Sequence, residues 1–396
     1  MASIEKSRNR RGGYVVRYRG PDKKPRTQTF RKRADADRFL RTVEADIIRG
    51  QWVDPAAGKI LLRAWADRWW KTTVDLRPTT LARDAATYKN HVLPTFGDLP
   101  LSAIDHMTVT EWVADLNAKG LAPATVQKAH QVLSKIMRAA VDAGLLIASP
   151  CERVKLPKVE REEMRFLGPD DIARLADTID PRYRALVLLG AYSGLRAGEM
   201  FGLRRGRVDL LRGKVDVVEI AVEVRGHFFY GPPKTRAGRR TVPLPRFVVD
   251  ELGAQCAGLE PGDLVFTAPQ GGTIRASQFR RRIWTPACVA AGLGTLTTVD
   301  GKEHYEGLRL HDLRHSAVAL WIAAGASARE IATRAGHTSV SVVLDRYGHL
   351  LPGTDERTTD ALELLGRAAA DGARDNRATI LKMASTRDEP EADTWL

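Results

Sequence analysis

His-Asp-Leu-Arg-His-Ser (residues 311–316), Ala-Gly-His-Thr-Ser (335–339) and Leu-Asp-Arg-Tyr-Gly-His (344–349) together form the most informative region of this sequence. His311 and Arg314 are three residues apart, so they share one face if the segment is helical. Gly336 is expected to end a second helix, and Tyr347 falls at the end of a further helical stretch. The region therefore predicts a helical segment that presents basic side chains and one phenol.

Two earlier segments add charged residues of the same kind. Ser-Gly-Leu-Arg-Ala-Gly-Glu (193–199) contains Arg196, and Pro-Lys-Thr-Arg (233–236) contains Lys234. The six candidate site residues are Arg196, Lys234, His311, Arg314, His337 and Tyr347. Two guanidiniums, an ammonium, two imidazoles and a phenol suit an anionic substrate, and a phosphodiester above all.

Each of these residues also has a structural interpretation. Arg314 on an apolar helix could form an internal salt bridge with Asp312 or Glu199, and Glu199 could instead orient Arg196. Lys234, on a predicted turn or hairpin, resembles an ordinary exposed lysine. A lone tyrosine is usually part of a core. No single motif decides between structure and function.

Composition favours a nucleic-acid partner. The chain has 396 residues, which predicts two or three domains, and its net charge is +14 with a pI near 9.9. A well-solvated basic surface is the alternative. The three cysteines are far apart and show no C-x-x-C spacing, which argues against a zinc site or a disulfide framework. With neither a membrane-length apolar run nor a signal peptide, a cytoplasmic protein is expected.

Residues 1–55 form a predicted N-terminal module. Within residues 1–33, twelve Lys and Arg residues face two acidic ones. Residues 14–19 and 26–31 alternate like strands, and residues 34–49 look helical. Arginines at alternate strand positions beside Tyr14 and Tyr18 suit a DNA groove, although a solvated hairpin is the alternative. The DNA-binding candidates are Arg10, Arg11, Arg17, Arg19, Lys23, Lys24 and Arg26.

The rest of the chain reads as three further regions. Residues 60–155 predict helices over 61–74, 79–92 (ending before Pro94), 108–118 and 124–143, with Trp65, Trp69 and Trp70 in the core rather than on a cofactor. A linker follows over 155–165. Residues 166–355 predict helices over 170–178 and 182–191, adjacent strands over 215–224 and 234–242, and helices from 277 onward. Residues 356–396 predict a helix over 360–369 and a disordered tail.

The five motifs resemble, in residue type and in order, those of the tyrosine recombinase (phage integrase) family. The resemblance implies a multidomain fold that is mainly α with small β-sheets (α+β). Its parts are a small β-sheet-plus-helix module at 1–55, similar in layout and charge to an arm-type DNA-binding domain; a helical, SAM-like core-binding domain at 60–155; a mixed α/β catalytic domain at 166–355; and the C-terminal segment 356–396.

The resemblance also implies a reaction. Tyr347 would attack the scissile phosphate and displace a 5′ hydroxyl, leaving a 3′-phosphotyrosyl link. Arg196 and Arg314 would bind the non-bridging oxygens, and Lys234 would protonate the leaving 5′ oxygen. A phenol has a pKa of roughly 10, so it needs such help at neutral pH.

The two histidines complete the implied set. His311 would act as general acid and base toward the tyrosine oxygen, and His337 would donate a hydrogen bond to the phosphate. Neither a metal nor a nucleotide cofactor is implied, because the covalent link conserves the energy of the phosphodiester.

The partners implied are double-stranded DNA at core and arm-type att sites, and further copies of the chain in a tetramer that the helix at 360–369 would help to assemble. A DNA-bending protein and an excisionase would control direction. The leading interpretation is an integrase of a mobile element such as a prophage. A chromosome-dimer resolvase of the same superfamily, a type IB topoisomerase and a non-catalytic DNA-binding regulator are the alternatives.

Overall fold

The computed structural model describes residues 3–6, 13–50, 52–54, 56–74, 76–160, 164–299, 301–350, 359 and 362–364. These fall into two compact units, one of residues 1–162 with 224–227 and one of residues 163–223 with 228–396. Arg10 and Arg11 lie outside the described residues, as does most of the helix predicted over 360–369. The domain boundaries set out above stay predictions.

The N-terminal residues form a three-stranded antiparallel sheet and one helix. The strands are β1 (Ser3–Lys6), β2 (Tyr14–Arg19) and β3 (Pro25–Phe30), in the order β1-β2-β3, and the helix is α1 (Arg33–Ile48). Strand β1 was not predicted. On β2, Val16 and Tyr18 are buried with the helix while Arg17 and Arg19 are exposed. Tyr18 therefore does not lie beside the arginines, as the sequence interpretation had it, because side chains alternate across a strand.

Five α-helices follow in the described part of the helical region. They are α2 (Leu62–Trp70), α3 (Pro78–Thr87), α4 (Leu93–Phe96), α5 (His106–Ala118) and α6 (Pro123–Asp142). The expected end before Pro94 is wrong, because a π turn at Tyr88–Val92 joins α3 to α4 and Pro94 lies inside the continued helix. The wider turn accommodates a residue that has no N–H and whose ring crowds the preceding turn.

Aromatic residues fill the core of this helical region. Trp65 is 7% exposed, and its indole N–H donates to the carbonyl of Ile136 at 3.0 Å. Trp69 and Trp70 pack against the same cluster, which confirms the core interpretation of the three tryptophans. Burial of rings of this size is a large part of what stabilises such a bundle.

The second unit is built mainly of helices around one large hydrophobic cluster and a smaller one that contains Tyr347. The helices are α7 (Pro169–Thr178), α8 (Arg184–Ser193), α9 (Ala197–Phe201), α10 (Arg246–Gln255), α11 (Ala276–Phe279), α12 (Thr285–Ala290), α13 (Asp312–Ala323), α14 (Ala328–Ala335) and α15 (Ser341–Tyr347). A π turn at Arg280–Trp284 joins α11 to α12. Helix α8 is buried along most of its length and packs on α13. Gly190 allows that contact, since a Cβ there would lie 2.8 Å from the side chain of Leu313.

Small antiparallel sheets complete this part of the chain. Strands β4 (Val208–Asp209), β5 (Lys214–Val217) and β8 (Arg240–Pro243) pair in the order β4-β5-β8. Two hairpins are β6–β7 (Ile220–Val224 with His227–Gly231) and β9–β10 (Gly294–Val299 with Lys302–Gly307). The strand predicted over 234–242 is wrong in its first half, since Lys234 lies in the loop between β7 and β8.

Hairpin β9–β10 was missed because only helices were predicted from residue 277 onward. Most of its described side chains are polar and exposed, so the strands lack the alternating apolar pattern that marks a half-buried strand. The overall class, mainly helical with small β-sheets, is confirmed. Among the described helices, none has the length and apolar character needed to cross a membrane.

Candidate active site

Three arginines from distant segments bind consecutive carbonyls at the end of one helix. The carbonyls are those of residues 334–336, where α14 ends. Arg240 Nε donates to the first at 2.7 Å, Arg314 donates to the second, and Arg196 donates to the third at 3.5 Å. The C-terminus of a helix carries partial negative charge on such unpaired carbonyls, so it attracts cations. This helix end therefore gathers three guanidiniums at one place.

Gly336 makes this arrangement possible. It ends α14 with φ of 64°, a left-handed conformation that glycine adopts without strain. A Cβ at this position would lie 2.9 Å from the carbonyl oxygen of Ala237 and 3.1 Å from the Arg240 guanidinium. The sequence prediction that Gly336 ends a helix is thus confirmed, and the close approach gives a second reason for glycine here.

Glu199 is the single carboxylate hydrogen-bonded to these cations among the described residues. Its side chain is 2% exposed; Oε1 accepts from Arg196 at 2.9 Å and Oε2 accepts from Arg240 at 2.9 Å. Burial raises the pKa of the carboxyl. The hydrogen bonds and charges of Arg240 and Arg196 lower it by more, so the pKa lies below its usual value. Three guanidiniums facing one carboxylate leave this cluster with an excess of positive charge.

Arg314 is the most deeply placed of the three arginines. It is 3% exposed and donates to the carbonyl of Gly194 at 2.6 Å and to Nε2 of His337 at 3.0 Å. The salt bridge considered with Asp312 or Glu199 is not among the ion pairs of the described residues. Burial, followed by the charges of Arg196 and Arg240, lowers the pKa of Arg314. A bound anion would relieve both effects.

His337 has a defined protonation state in this arrangement. A guanidinium can only donate, so Nε2 of His337 must be the acceptor of the bond from Arg314. Burial and the neighbouring arginines, beginning with Arg314, lower the pKa of His337 to about 4. The proton of the neutral ring therefore lies on Nδ1, a buried atom without a partner among the described residues. This N–H is available to donate to an anion.

Tyr347 is the last residue of α15 and is 1% exposed. Its hydroxyl is hydrogen-bonded to Nδ1 of His315 at 2.6 Å. Burial raises the pKa of the phenol, while the charges of Arg314 and Arg346 act in the opposite direction. The phenol is therefore protonated at neutral pH, and a reaction at its oxygen requires a proton acceptor.

His311 lies next to this pair but does not bind the tyrosine in the described structure. It precedes α13 and retains an exposed surface, and its ring meets that of His315 edge to face with centroids 5.0 Å apart. Partial desolvation, then the charges of His315 and Arg314, lower its pKa. Its role as general acid and base toward the tyrosine stays a prediction.

Lys234 is the one member of the predicted six that the described contacts do not link to the others. It is exposed in the loop after β7, and no hydrogen bond or ion pair was found for it in the described part of the chain. The adjacent Pro233 and Gly238 are buried, so this loop is anchored at two points. The role of Lys234 in the reaction stays a prediction.

Sequence reasoning missed two residues of this site. Arg240 belongs to the segment Gly-Arg-Arg-Thr-Val-Pro-Leu (238–244), and His315 directly follows Arg314. His315 is one helical turn beyond His311, which places the two on the same side of α13. That spacing was the available signal, whereas nothing local marks Arg240 as the partner of Glu199.

Four of the seven predicted DNA-binding residues of the N-terminal module are exposed in the described structure. Arg17 and Arg19 are exposed on the face of the sheet opposite the helix, and Lys23 and Lys24 are exposed in the turn that follows. Arg17 also lies 3.4 Å from the carboxylate of Glu5, a pair that is largely exposed to solvent. These four positions are accessible to a DNA backbone, and contact with DNA stays a prediction.

Arg26 has a structural role in the N-terminal module. Its guanidinium donates to Asp22 at 2.7 Å and to Asp54 at 2.5 Å, and it stacks over the ring of Trp52 at 4.5 Å. These bonds fix the guanidinium on the helix side of the sheet, where Tyr18 also lies. The expectation that Arg26 contacts DNA is not supported by this placement, although it stays untested.

Two family models match the chain. The model described as the phage integrase family matches residues 165–353, and that of the phage integrase N-terminal SAM-like domain matches residues 61–117. Among solved structures, an integrase of the Tn1549 transposon in complex with transposon right end DNA has a TM-score of 0.62 at 17% identity, covering 77% of this chain and 100% of that one. A lambda integrase tetramer bound to a Holliday junction has a TM-score of 0.52 at 17% identity, covering 82% and 90%. Both show a common fold.

Similar full-length proteins include named integrases. The putative prophage phiRv2 integrase of Mycobacterium tuberculosis is 28% identical over 89% of this chain and 93% of its own length. The ICEBs1 integrase of Bacillus subtilis is 26% identical over 73% and 79%. The integrase of Mycobacterium phage L5 is 25% identical over 86% and 91%. The chain belongs to the phage integrase family of tyrosine recombinases.

Proposed function

We propose that this chain is a site-specific DNA recombinase that integrates and excises a mobile element, of prophage type, through a 3′-phosphotyrosyl intermediate. The observation that carries the proposal is the cluster of three guanidiniums at the end of α14, with a buried tyrosine hydroxyl in the same domain. A scissile phosphate bound there would be the anion that Arg314 lacks. Relatives named as prophage and phage integrases support the biological setting.

The arginines and His337 account for phosphate binding. Arg314 and Arg196 bind the non-bridging oxygens, and the Nδ1–H of His337 donates to one of them. Charge that develops on these oxygens in the pentavalent transition state meets donors that are already oriented. Glu199, which is itself bound by Arg240, holds Arg196 in place, so no reorganisation of the guanidinium is needed when the phosphate arrives.

Tyr347 and Lys234 carry out the exchange of bonds. The Tyr347 oxygen attacks phosphorus, and the 5′ oxygen leaves with a proton from Lys234. Lys234 is exposed at the tip of its anchored loop, so its ammonium is free to reach the leaving oxygen of a bound duplex. His311 lies beside the tyrosine–His315 pair and contributes a general acid and base to the same reaction.

All three domains contribute to DNA recognition. The helical domain at 60–155 and the catalytic domain at 166–355 bind the core att site, and the module at 1–55 binds arm-type sites through Arg17, Arg19, Lys23 and Lys24. The strongly basic composition supports this, because cations that neutralise phosphates dominate such affinity. The chain acts in the bacterial cytoplasm.

The recombinase would act as a tetramer on DNA. Four copies act together on two duplexes, and the lambda integrase tetramer on a Holliday junction is a precedent in fold. The helix predicted over 360–369 docks on a neighbouring protomer, and a DNA-bending protein and an excisionase set direction. Deleting residues after Thr354 tests the docking step, since unchanged synapsis and cleavage would refute it.

The test of the function is a trapping experiment. The protein is incubated with a nicked duplex that carries the att site recovered from the junctions of its element, so that the cleaved end diffuses away. A covalent complex that resists SDS is expected from the wild-type protein, while Tyr347→Phe should bind the same duplex without forming it. Binding without any covalent product from the wild-type protein would instead support a non-catalytic regulator.

A further inference from the structure

The tyrosine of this site needs a proton acceptor that the six-residue set does not provide in the described structure. Burial raises the pKa of Tyr347, so the hydroxyl retains its proton at neutral pH. The nucleophile in a phosphoryl transfer must lose this proton as its bond to phosphorus forms. Lys234 and His311 are the two side chains predicted to transfer protons, and neither has a hydrogen bond to the tyrosine oxygen among the described residues.

His315 is the group that contacts this oxygen. The distance from its Nδ1 to Tyr347 Oη is 2.6 Å, and the two rings lie 5.8 Å apart between centroids. Both residues are held by secondary structure, His315 within α13 and Tyr347 at the end of α15. The contact is thus made between two helices that contribute to the same hydrophobic cluster, and it does not depend on a loop.

The protonation states fit a base in this position. Burial lowers the pKa of His315, which leaves the ring neutral, and the charge of Asp312 opposes this effect while those of Arg346 and Arg314 reinforce it. A neutral imidazole has one nitrogen that accepts. With the phenol protonated, the Oη–H donates to Nδ1 and the ring proton lies on Nε2.

His311 is less well placed for the same task. Its ring meets His315 edge to face at 5.0 Å between centroids, so the imidazole of His315 is the one that contacts the phenol. A general base must lie within hydrogen-bonding reach of the proton that it removes. His315 meets this condition, so in this proposal it replaces His311 as the group that exchanges a proton with the tyrosine, and His311 lies behind it.

We propose that His315 is a catalytic residue that accepts the proton of Tyr347 during cleavage and returns it during rejoining, an inference that rests on the proposed recombinase function. As the Oη–P bond forms, the Oη–H proton moves to Nδ1 of His315. The P–O5′ bond breaks, and the 5′ oxygen takes a proton from Lys234. In rejoining, the 5′ hydroxyl attacks the phosphotyrosine and returns its proton to Lys234, the P–Oη bond breaks, and Tyr347 leaves with the proton held by His315.

The test distinguishes proton transfer at the tyrosine oxygen from proton transfer at the leaving 5′ oxygen. His315→Asn keeps a hydrogen-bond acceptor near the position of Nδ1 but cannot take up a proton at neutral pH. Single-turnover cleavage of a nicked att-site duplex should therefore slow by about 100-fold or more, in the range typical of general-base catalysis. His304→Asn, on the exposed hairpin β9–β10, is the matched control and should cleave at the wild-type rate.

A second substrate identifies the step. In a duplex whose scissile phosphate has a 5′-bridging sulfur, the leaving thiolate needs no proton. Lys234→Ala should therefore recover on the sulfur substrate, so that its ratio of sulfur to oxygen rates rises far above the wild-type ratio. His315→Asn should stay slow on both substrates, with a ratio close to that of the wild type. This ratio is measured within one variant, so it does not depend on the fraction of protein that is folded.

The outcomes are distinct. A rate for His315→Asn within threefold of the wild type on the oxygen substrate would overturn the inference, as would recovery of this variant on sulfur in the manner of Lys234→Ala. Wild-type cleavage that is lost in Tyr347→Phe is the reference for both comparisons. Absence of that reference reaction would count against the proposed function itself, and not against the choice of proton acceptor.

Discussion

Replacing Arg240 with methionine removes the guanidinium that binds Glu199 through Oε2 and also holds the carbonyl of Arg334. The Arg240 and Glu199 side chains are 5% and 2% exposed, so the remaining carboxylate would be buried with only Arg196 as a charged partner. Removing one partner of a buried pair costs about 3–5 kcal/mol. Because Arg196 still binds Glu199, the lower part of that range is expected, together with about 1 kcal/mol for the lost bond to the helix end.

Hydrogen exchange measures this loss within the second unit alone. A penalty of about 3–4 kcal/mol corresponds to amide exchange that is roughly 100- to 1000-fold faster in the helices Arg184–Ser193 and Asp312–Ala323. Arg212→Met is the matched control, because its pair with Asp209 leaves the arginine 78% exposed. A surface pair of this kind contributes less than about 1 kcal/mol.

The penalty should also depend on pH. Glu199 has a pKa below its usual value of 4.5 in the folded protein, so its ion pairs stabilise the fold above pH 4.5, and this contribution is lost as the pH falls through the lowered pKa. In Arg240→Met the carboxyl protonates at higher pH, so the penalty should be largest at pH 7 and smaller toward pH 5. Equal exchange rates in Arg240→Met and Arg212→Met at pH 7 would refute the assignment of Arg240 as the main partner of Glu199.

Two further predictions concern Lys234 in the catalytic domain and Asp84 in the helical domain. Lys234→Ala should slow cleavage of an ordinary duplex by about 100-fold or more without changing thermal unfolding, because the side chain is exposed. Asp84→Asn should destabilise the helical domain by about 1–3 kcal/mol in urea, since the buried carboxylate lies 2.8 Å from Lys128 and 2.7 Å from Lys135. Burial raises the pKa of Asp84, but the two lysines outweigh this effect and leave the pKa below its usual 3.8. The loss should therefore shrink as the pH falls below 3.8 and disappear below the lowered pKa. Stable Asp84→Asn at pH 7, or unfolding by Lys234→Ala, would contradict these assignments.

The sequence predicted those parts of the fold that depend on local patterns. The N-terminal strand pair and helix agree with the structure to within about one residue, because alternation and a glycine stop are local signals. The helix end before Pro94 was predicted wrongly from a similar local signal. A π turn carries the helix past this proline, and such a turn leaves no simple mark in the sequence. Hairpin β9–β10 was missed because its exposed polar strands carry little periodicity.

The site was predicted in composition more than in arrangement. Chain order and residue type were enough to select Arg196, Arg314, His337 and Tyr347, which the structure brings into one domain. The convergence of three arginines on residues 334–336 depends on how α14 ends relative to segments up to 140 residues away. Such long-range contacts cannot be read from spacing along the chain, and Arg240 was overlooked for that reason.

Peptide mapping can locate the covalent bond that Tyr347 is proposed to form with DNA. After trapping on the nicked duplex and nuclease digestion, trypsin should cleave after Arg346 and Arg357 and release residues 347–357, in which Tyr347 is the single tyrosine. Mass spectrometry should find a 3′-nucleotide phosphate on this peptide. A nucleotide adduct on any other peptide, with residues 347–357 recovered unmodified, would show that Tyr347 is not the nucleophile.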